Sequence, residues 1–364
     1  MRDTLYDIGL PILAIAAALA VFGVFVSFAG VNPVDVWMLL FKGAFGDAFS
    51  WQNTLQRAAP LMLTALCVAV PARAGLVVIG GEGALVLGGL ACAAAAYYLP
   101  LPGNVIGTAV ACAAGAVVGA LWVGLAGWLR QYRGINETIS SLLLAYIAIG
   151  LFKHLVEGPL RDPASLNKPS THSVPEPLLM GGIFGTDVHW GLVLGVLACL
   201  GLAVWMRWTA SGFSVRVVGG NPRTAQLMGL PASQLILTAC VIGGACAGLA
   251  GSVEVLAVHT NANASLIAFY GYTGILVSFI ARHHPLAIIP VAILFGGFGA
   301  AGSLLQRRLG LPDASVLVLQ GMAFVLILAS EALRDVNWKS LMTKLMRMAG
   351  PDPDAKTTTE GTPS

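Results

Sequence analysis

Ionisable residues are scarce in this chain, so those lying inside apolar stretches are the first candidates for chemistry. Glu82 closes the run Gly75-Leu-Val-Val-Ile-Gly-Gly-Glu-Gly83, where glycines interrupt an otherwise apolar stretch. A carboxylate within a bilayer must find partners, and broken helix is tolerated there only where the backbone is buried in protein or lines a wet cavity. Two readings follow. Either Gly80, Glu82 and Gly83 form a broken helix whose N-terminal end faces a solute path, or Glu82 accepts hydrogen bonds from nearby backbone N–H groups and holds a bend without touching solute. Asn136 and Glu137 read first as a helix N-cap with an acidic first turn; a gating or partner contact is the alternative for Asn136. Glu254, His259, Asn261 and Asn263 cluster at the end of an apolar run. They read as a solvated loop, with the entrance for a polar solute as the alternative. His283 and His284 precede Pro285, and two adjacent histidines without further ligands have poor metal geometry, so the pair reads as a turn. Lys153 reads as a side chain snorkelling to the interface.

No catalytic signature accompanies them. There is no HExxH, no Walker A lysine loop and no GxSxG elbow. The six cysteines, Cys67, Cys92, Cys112, Cys199, Cys240 and Cys246, lie in apolar segments without CxxC spacing and read as small core residues. The expectation is a non-enzyme with no catalytic residue, metal or cofactor, and nothing in it points to nucleic acid. Proton- or sodium-driven carriers show intramembrane charges along their spans; here Glu82 and Glu254 are nearly the only candidates. An energy source on a partner chain follows.

The place for such a partner is Arg207 to Gln234, the longest polar interval between apolar stretches. It carries Arg207, Arg216 and Arg223 and no acidic residue. Within it Asn221 reads as an N-cap, Pro222 as the first helical position and Gly229 as the stop. A basic, capped helix between two spans suits docking on a soluble partner at the cytoplasmic face.

The elements that position these residues are membrane spans. Of 364 residues, 57% are hydrophobic and 10% charged, and mean hydropathy is +0.81. A soluble domain carries about 25% charged residues. A span needs about 20 apolar residues, and the chain offers about ten candidates in one all-α, polytopic bundle, with a broken or short helix near residues 70–85. The many glycines and alanines allow close helix approach. Span one, Ile8 to Phe28, reads as a retained helix, since no small-residue cleavage site follows it. An amphipathic stretch then leads to span two, Ala59 to Val70, ending at Pro71. The remaining spans are a third through residues 75–99, then Asn104–Leu129, Ile139–Leu155, Trp190–Met206, Leu235–Leu256, a short Gly271–Ile280, Leu286–Leu304 and Val316–Leu333. The expected domain covers 1–335, with a cytoplasmic coupling loop at 207–234 and a Pro- and Ser-rich outer loop at 156–189. Residues 336–364 form a cytoplasmic tail whose low-complexity end is expected to be disordered. With both termini inside, Arg2, Arg73, Arg130, Arg133, Arg207, Arg216, Arg223, Arg282 and five tail residues place 13 of the 20 Lys and Arg in the cytoplasm. Arg307 and Arg308 fall outside in that arrangement.

Four stretches carry a resemblance to a known family. They are PLMLTALCVAVPARAGLVVIGGEGALVLGG, INETISSLLLAYIAIGLFKHLVEGPLRDP, GFSVRVVGGNPRTAQLMGLP and GYTGILVSFIARHHPLAIIPVAILFGGFGAAGSLLQ. Their order and spacing over residues 55–333 resemble the permease subunits of bacterial ABC importers for nucleosides and simple sugars, served by basic-membrane-protein-type lipoproteins. The resemblance implies a multi-pass protein of the bacterial inner membrane. Its implied partners are a cytoplasmic ABC ATPase, a second related permease or second copy of this chain, an extracytoplasmic solute-binding lipoprotein and membrane lipid. It implies ATPase coupling through Arg216, Asn221, Pro222, Arg223, Ala225 and Gly229, and a path for a small polar solute near Gly80, Glu82, Gly83 and Asn136. Two positions depart from the family pattern: Val78 stands where the family has asparagine, and Ala84 where it has glutamine. A stand-alone secondary transporter or channel is the alternative, and a structural subunit without a solute path is a further one.

Overall fold

The computed structural model describes residues 2–312 and 314–334; the expectation for the tail at 336–364 lies outside them. The described residues form helices α1 (Arg2–Phe28), α2 (Pro33–Phe45), α3 (Ala48–Arg73), α4 (Gly81–Tyr98), α5 (Val105–Arg133), α6 (Glu137–Glu157) and α7 (Gly191–Trp208). After these come α8 (Ala210–Gly220), α9 (Pro222–Leu227), α10 (Ala232–Val253), α11 (Tyr270–Ile280), α12 (Pro285–Leu309) and α13 (Ser315–Arg334). No strand is present among them; the β pairing is limited to isolated bridges, Ser170 with Asn263 and Gly182 with His189.

Six stretches are long and apolar enough to cross a membrane: Ala48–Arg73, Val105–Arg133, Glu137–Glu157, Gly191–Trp208, Ala232–His259 and Pro285–Leu309. Shorter apolar stretches lie in α1, α11 and α13. The expected second span needs correction. Its helix starts at Ala48, not Ala59, and runs through Pro60 and Pro71. The polar residues before Ala59 belong to that helix because its first turns pack on α2, where the Thr54 hydroxyl donates to the Ala44 carbonyl at 2.7 Å.

Lipid tails are as apolar as leucine, so close backbone packing has to hold such a bundle together. Small residues supply it where α4, α5 and α10 meet. A Cβ placed on Gly119 of α5 would lie 2.7 Å from the Gly248 Cα of α10, and one on Gly89 of α4 would lie 2.9 Å from the Gly251 carbonyl oxygen. Bulkier side chains fill three apolar cores. One joins α1, α2, α3, α12 and α13 around Phe22, Leu66 and Phe295. Another joins α4, α5, α6 and α10 around Phe152 and Leu266. A smaller one, around Val70, Val215 and Ala239, seats α8 and α9 on the ends of α3 and α10. All six cysteines are buried.

At its C-terminal end α10 widens into a π-helical turn, Glu254–His259. Such a turn shifts the hydrogen-bond ladder and frees carbonyls. The segment between α6 and α7 covers the turn and the residues after it: Met180 N–H donates to Leu256 O at 2.9 Å, Val174 to Thr260 O at 2.7 Å and Thr171 to Ala262 O at 2.9 Å. The expected solvated loop at 254–263 is therefore a covered layer, with Glu254 and Asn263 buried. His259 Nε2 lies 3.5 Å from Glu254 Oε2.

Candidate functional site

The helical path breaks between Arg73 and Gly81, and Leu76–Ile79 has no regular secondary structure. Four such residues among apolar helices need partners for their backbone, and α6 provides them from its first turns. Ser141 Oγ accepts from Ile79 N–H at 3.0 Å, and Thr138 Oγ1 donates to Val77 O at 2.9 Å. Asn136 caps α6 through Thr138 N–H at 2.9 Å and Ile139 N–H at 3.2 Å, as its sequence position suggests. Glu137 pairs with Arg130 Nε at 3.3 Å. Gly80 and Gly83 face α6 closely enough that a Cβ would lie 2.7 Å from Ser141 O and from Ala145 Cα respectively.

Glu82 has no exposed surface. Its carboxylate accepts two backbone N–H groups at the start of α11, from Phe269 at 2.9 Å and Gly271 at 2.6 Å. Of the two readings, this geometry is the one in which the carboxylate holds a bend. It satisfies two of the unpaired donors that every helix start presents, at the end whose dipole favours a negative charge.

Beside this latch lies a cavity of about 800 Å³. Val77 and Ile79 of the non-helical segment, Tyr146 of α6, Thr273 and Phe279 of α11 and Gln320 and Phe324 of α13 are among its walls. Phe269 and Tyr272 complete an aromatic lining. Besides the Tyr146 and Tyr272 side chains, its polar residues are a hydrogen-bonded pair, Thr273 Oγ1 to Gln320 Oε1 at 3.0 Å. The same two residues also line a neighbouring cavity of about 290 Å³ that contains Arg57 and Tyr270. Gly80, Glu82, Gly83 and Asn136 are absent from both linings, and so are Val78 and Ala84, which are fully buried. The two departures from the family pattern thus fall in packed protein. Sequence reasoning missed Thr273 and Gln320. Their signal was two hydrogen-bonding side chains in apolar helices, visible only once α11 and α13 are known to be neighbours.

On the opposite side of the break lies the basic segment. Thr209 caps α8, accepting Gly212 N–H at 3.1 Å, and Asn221 caps α9 through Arg223 N–H at 3.0 Å and Thr224 N–H at 3.2 Å. Gly229 has a φ of +79°, the left-handed stop that glycine permits. Pro222 and Arg223 are exposed, whereas Ala225 is buried beneath α9 and cannot itself meet a partner. At the end of α9 the exposed apolar residues are Leu227 at 90% and Met228 at 67%. They went unnoticed in the sequence because apolar residues are the rule in this chain.

Two contacts tie this segment to the core. A Cβ on Gly75, which has a φ of +82°, would lie 3.2 Å from the Gly219 carbonyl oxygen at the end of α8. Arg73 at the end of α3 donates to His283 O at 3.0 Å and Arg282 O at 3.3 Å. Those carbonyls belong to a turn in which Arg282 and His283 both take positive φ, a conformation that costs a non-glycine residue free energy and persists only when its surroundings hold it. Burial, then the Arg73 charge, push the His283 imidazole down to about 4, and its Nδ1 lies 2.8 Å from Ser278 Oγ.

Residues 50–328 match the family model of the permease component of branched-chain amino acid transport systems. The chain is 33% identical to the glucose ABC transporter permease of Haloferax volcanii over 334 residues, covering 89% of this chain and 87% of that one. It is 26% identical to the guanosine ABC transporter permease of Bacillus subtilis over 348 residues, covering 90% and 95%. Over 306 residues it is 26% identical to the nucleoside ABC transporter permease of Lactococcus lactis, covering 81% and 84%. These matches displace the stand-alone carrier as a reading. The chain belongs to this permease family and is the transport component of an ABC transporter, not an enzyme.

Proposed function

We propose that this chain is the permease subunit of an ATP-driven importer for a nucleoside or related compound. The cavity of about 800 Å³ carries that reading. Its walls hold the aromatic rings of Tyr146, Phe269, Tyr272, Phe279 and Phe324, with the Thr273–Gln320 pair and the two tyrosines as the polar residues. Aromatic faces stack on planar bases, and a glutamine amide matches the donor–acceptor edge of a base. A simple sugar, with hydroxyls on every side, asks for more hydrogen-bonding groups than this lining presents. It is kept as the second reading because a relative at 33% identity is a glucose permease.

In this proposal α1, α3–α7 and α10–α13 make ten spans of a bacterial inner membrane, with both termini cytoplasmic. A cytoplasmic ATPase docks on α9, where Asn221, Pro222 and Gly229 shape the helix, Arg216 and Arg223 supply charge and Ala225 seats it on the bundle. Leu227 and Met228 complete the contact. A second permease, related or identical, completes the path, and an extracytoplasmic solute-binding lipoprotein delivers solute. Movement of α8 reaches Gly75 through Gly219 and then the wall residues Val77 and Ile79. Gly80, Glu82, Gly83 and Asn136 act by holding that wall in place.

The test is ATP-dependent uptake into vesicles by the reconstituted complex. Labelled guanosine and glucose are compared, each challenged with an excess of the other. Guanosine uptake that glucose leaves unchanged supports the first reading; the reverse establishes the sugar.

A further inference from the structure

Three membrane helices end around a third, smaller cavity, which shares no lining residue with the two described above. It has a volume of about 210 Å³ and is lined by Arg73 at the end of α3, Arg207 in the last turn of α7, Arg216 on α8 and His284 before α12. No carboxylate is among its lining residues. Met206 and Leu286 add an apolar side. Arg216 lies within electrostatic reach of Arg73. Loss of hydration, then the charges of Arg73 and Arg207, hold the His284 imidazole below its usual value.

Three guanidinium groups gathered without a counter-charge among the described residues repel one another, and surface screening relieves this less where charges share a cavity. Arg73 cannot swing away, because two of its N–H donors are committed to the Arg282 and His283 carbonyls. Guanidinium groups match the oxygens of a phosphate in pairs. The setting selects among phosphates. The cavity opens where α3 and α7 end and α12 begins, and Trp208, 79% exposed, follows Arg207 directly. Tryptophan collects at the headgroup level of a bilayer, and basic pockets between membrane helices take anionic headgroups.

We propose that Arg73, Arg207, Arg216 and His284 form a binding site for the phosphate of an anionic phospholipid headgroup, with Met206 and Leu286 beside its glycerol end. The bound lipid offsets part of the cluster's charge and ties the α3 and α12 ends to α8. This site is independent of the solute identity proposed above but shares Arg216 with the proposed ATPase contact, so the variants that test it leave Arg216 in place.

The experiment uses the full chain, delipidated in a neutral detergent, and reads both thermal unfolding and lipid retention by native mass spectrometry. Probes are phosphatidylglycerol, phosphatidylcholine and inorganic phosphate. Phosphatidylglycerol is expected to raise the unfolding temperature and to remain bound, with little response to the other two. Arg207→Gln removes one exposed arginine and should weaken the lipid roughly fivefold, the equivalent of one basic residue at a membrane surface. Arg207→Gln with His284→Gln should weaken it further. Arg223→Gln, outside the cavity, should leave retention unchanged, which separates a site from diffuse attraction. Equal retention of phosphatidylcholine, full stabilisation by inorganic phosphate alone, or an equal loss in Arg223→Gln would each overturn the proposal.

Discussion

Glu82 Oε2 accepts the backbone N–H of Gly271 at 2.6 Å, across 189 positions of chain. Together with the Phe269 contact it joins the start of α4 to the start of α11. The carboxylate therefore replaces the preceding turn that α11 lacks.

Glu82→Ala strands both donors in a dry interior, at about 1–3 kcal/mol for each. The expected outcome is a lower unfolding temperature and a lower yield in detergent, with solute affinity unchanged in the protein that survives. A tenfold loss of affinity at unchanged stability would instead make Glu82 a solute ligand.

Gln320→Leu removes the amide from the cavity wall while keeping an apolar fit. One lost hydrogen bond of about 1.5 kcal/mol corresponds to roughly a tenfold rise in the KM for uptake. The unfolding temperature should hardly move. An unchanged KM would take the solute out of this cavity.

Charge reversal at the coupling segment tests the opposite face. Arg216→Glu with Arg223→Glu should abolish solute-stimulated ATP hydrolysis by the assembled complex while membrane expression stays normal. Full transport by that variant would remove α8 and α9 from the coupling route. Leu227→Asp, on the exposed end of α9, should weaken co-purification of the ATPase.

The turn at His283 gives a pH dependence with a defined sign. Its folded value of about 4 lies below the ordinary 6.5, so the unfolded chain binds more protons between them. The contribution to stability is then complete above pH 6.5 and is lost as pH falls toward 4, by at most about 1.4 kcal/mol per pH unit. Thermal unfolding of the wild type should drop across that window, and His283→Asn should flatten part of the drop.

The helices themselves were legible because membrane spans announce their length and apolarity, and the caps at Asn136 and Asn221 announce their own chemistry. Other features depended on neighbours far away in the chain. The early start of α3 was hidden by polar residues whose partner is the Ala44 carbonyl of α2. Glu254 looked solvated because nothing in its own segment says that residues 171–180 will cover it. Helix α8 was hidden inside a stretch that read as a loop, although Thr209 and the spacing of Val215 and Val218 mark its cap and buried face. Thr273 and Gln320 are ordinary residues until α11 and α13 are set side by side. Local signals thus gave the scaffold, and long-range pairing decided where a solute could sit.

The glycine seam among α4, α5 and α10 has a consequence for motion. Where Gly119 meets Gly248 and Gly89 meets Gly251 the backbones nearly touch, so no side chain there can change rotamer to let the helices slide. They form a stator. In the proposed transport cycle the swing falls to helices such as α11 and α13, whose contacts across the large cavity are made by side chains that can turn.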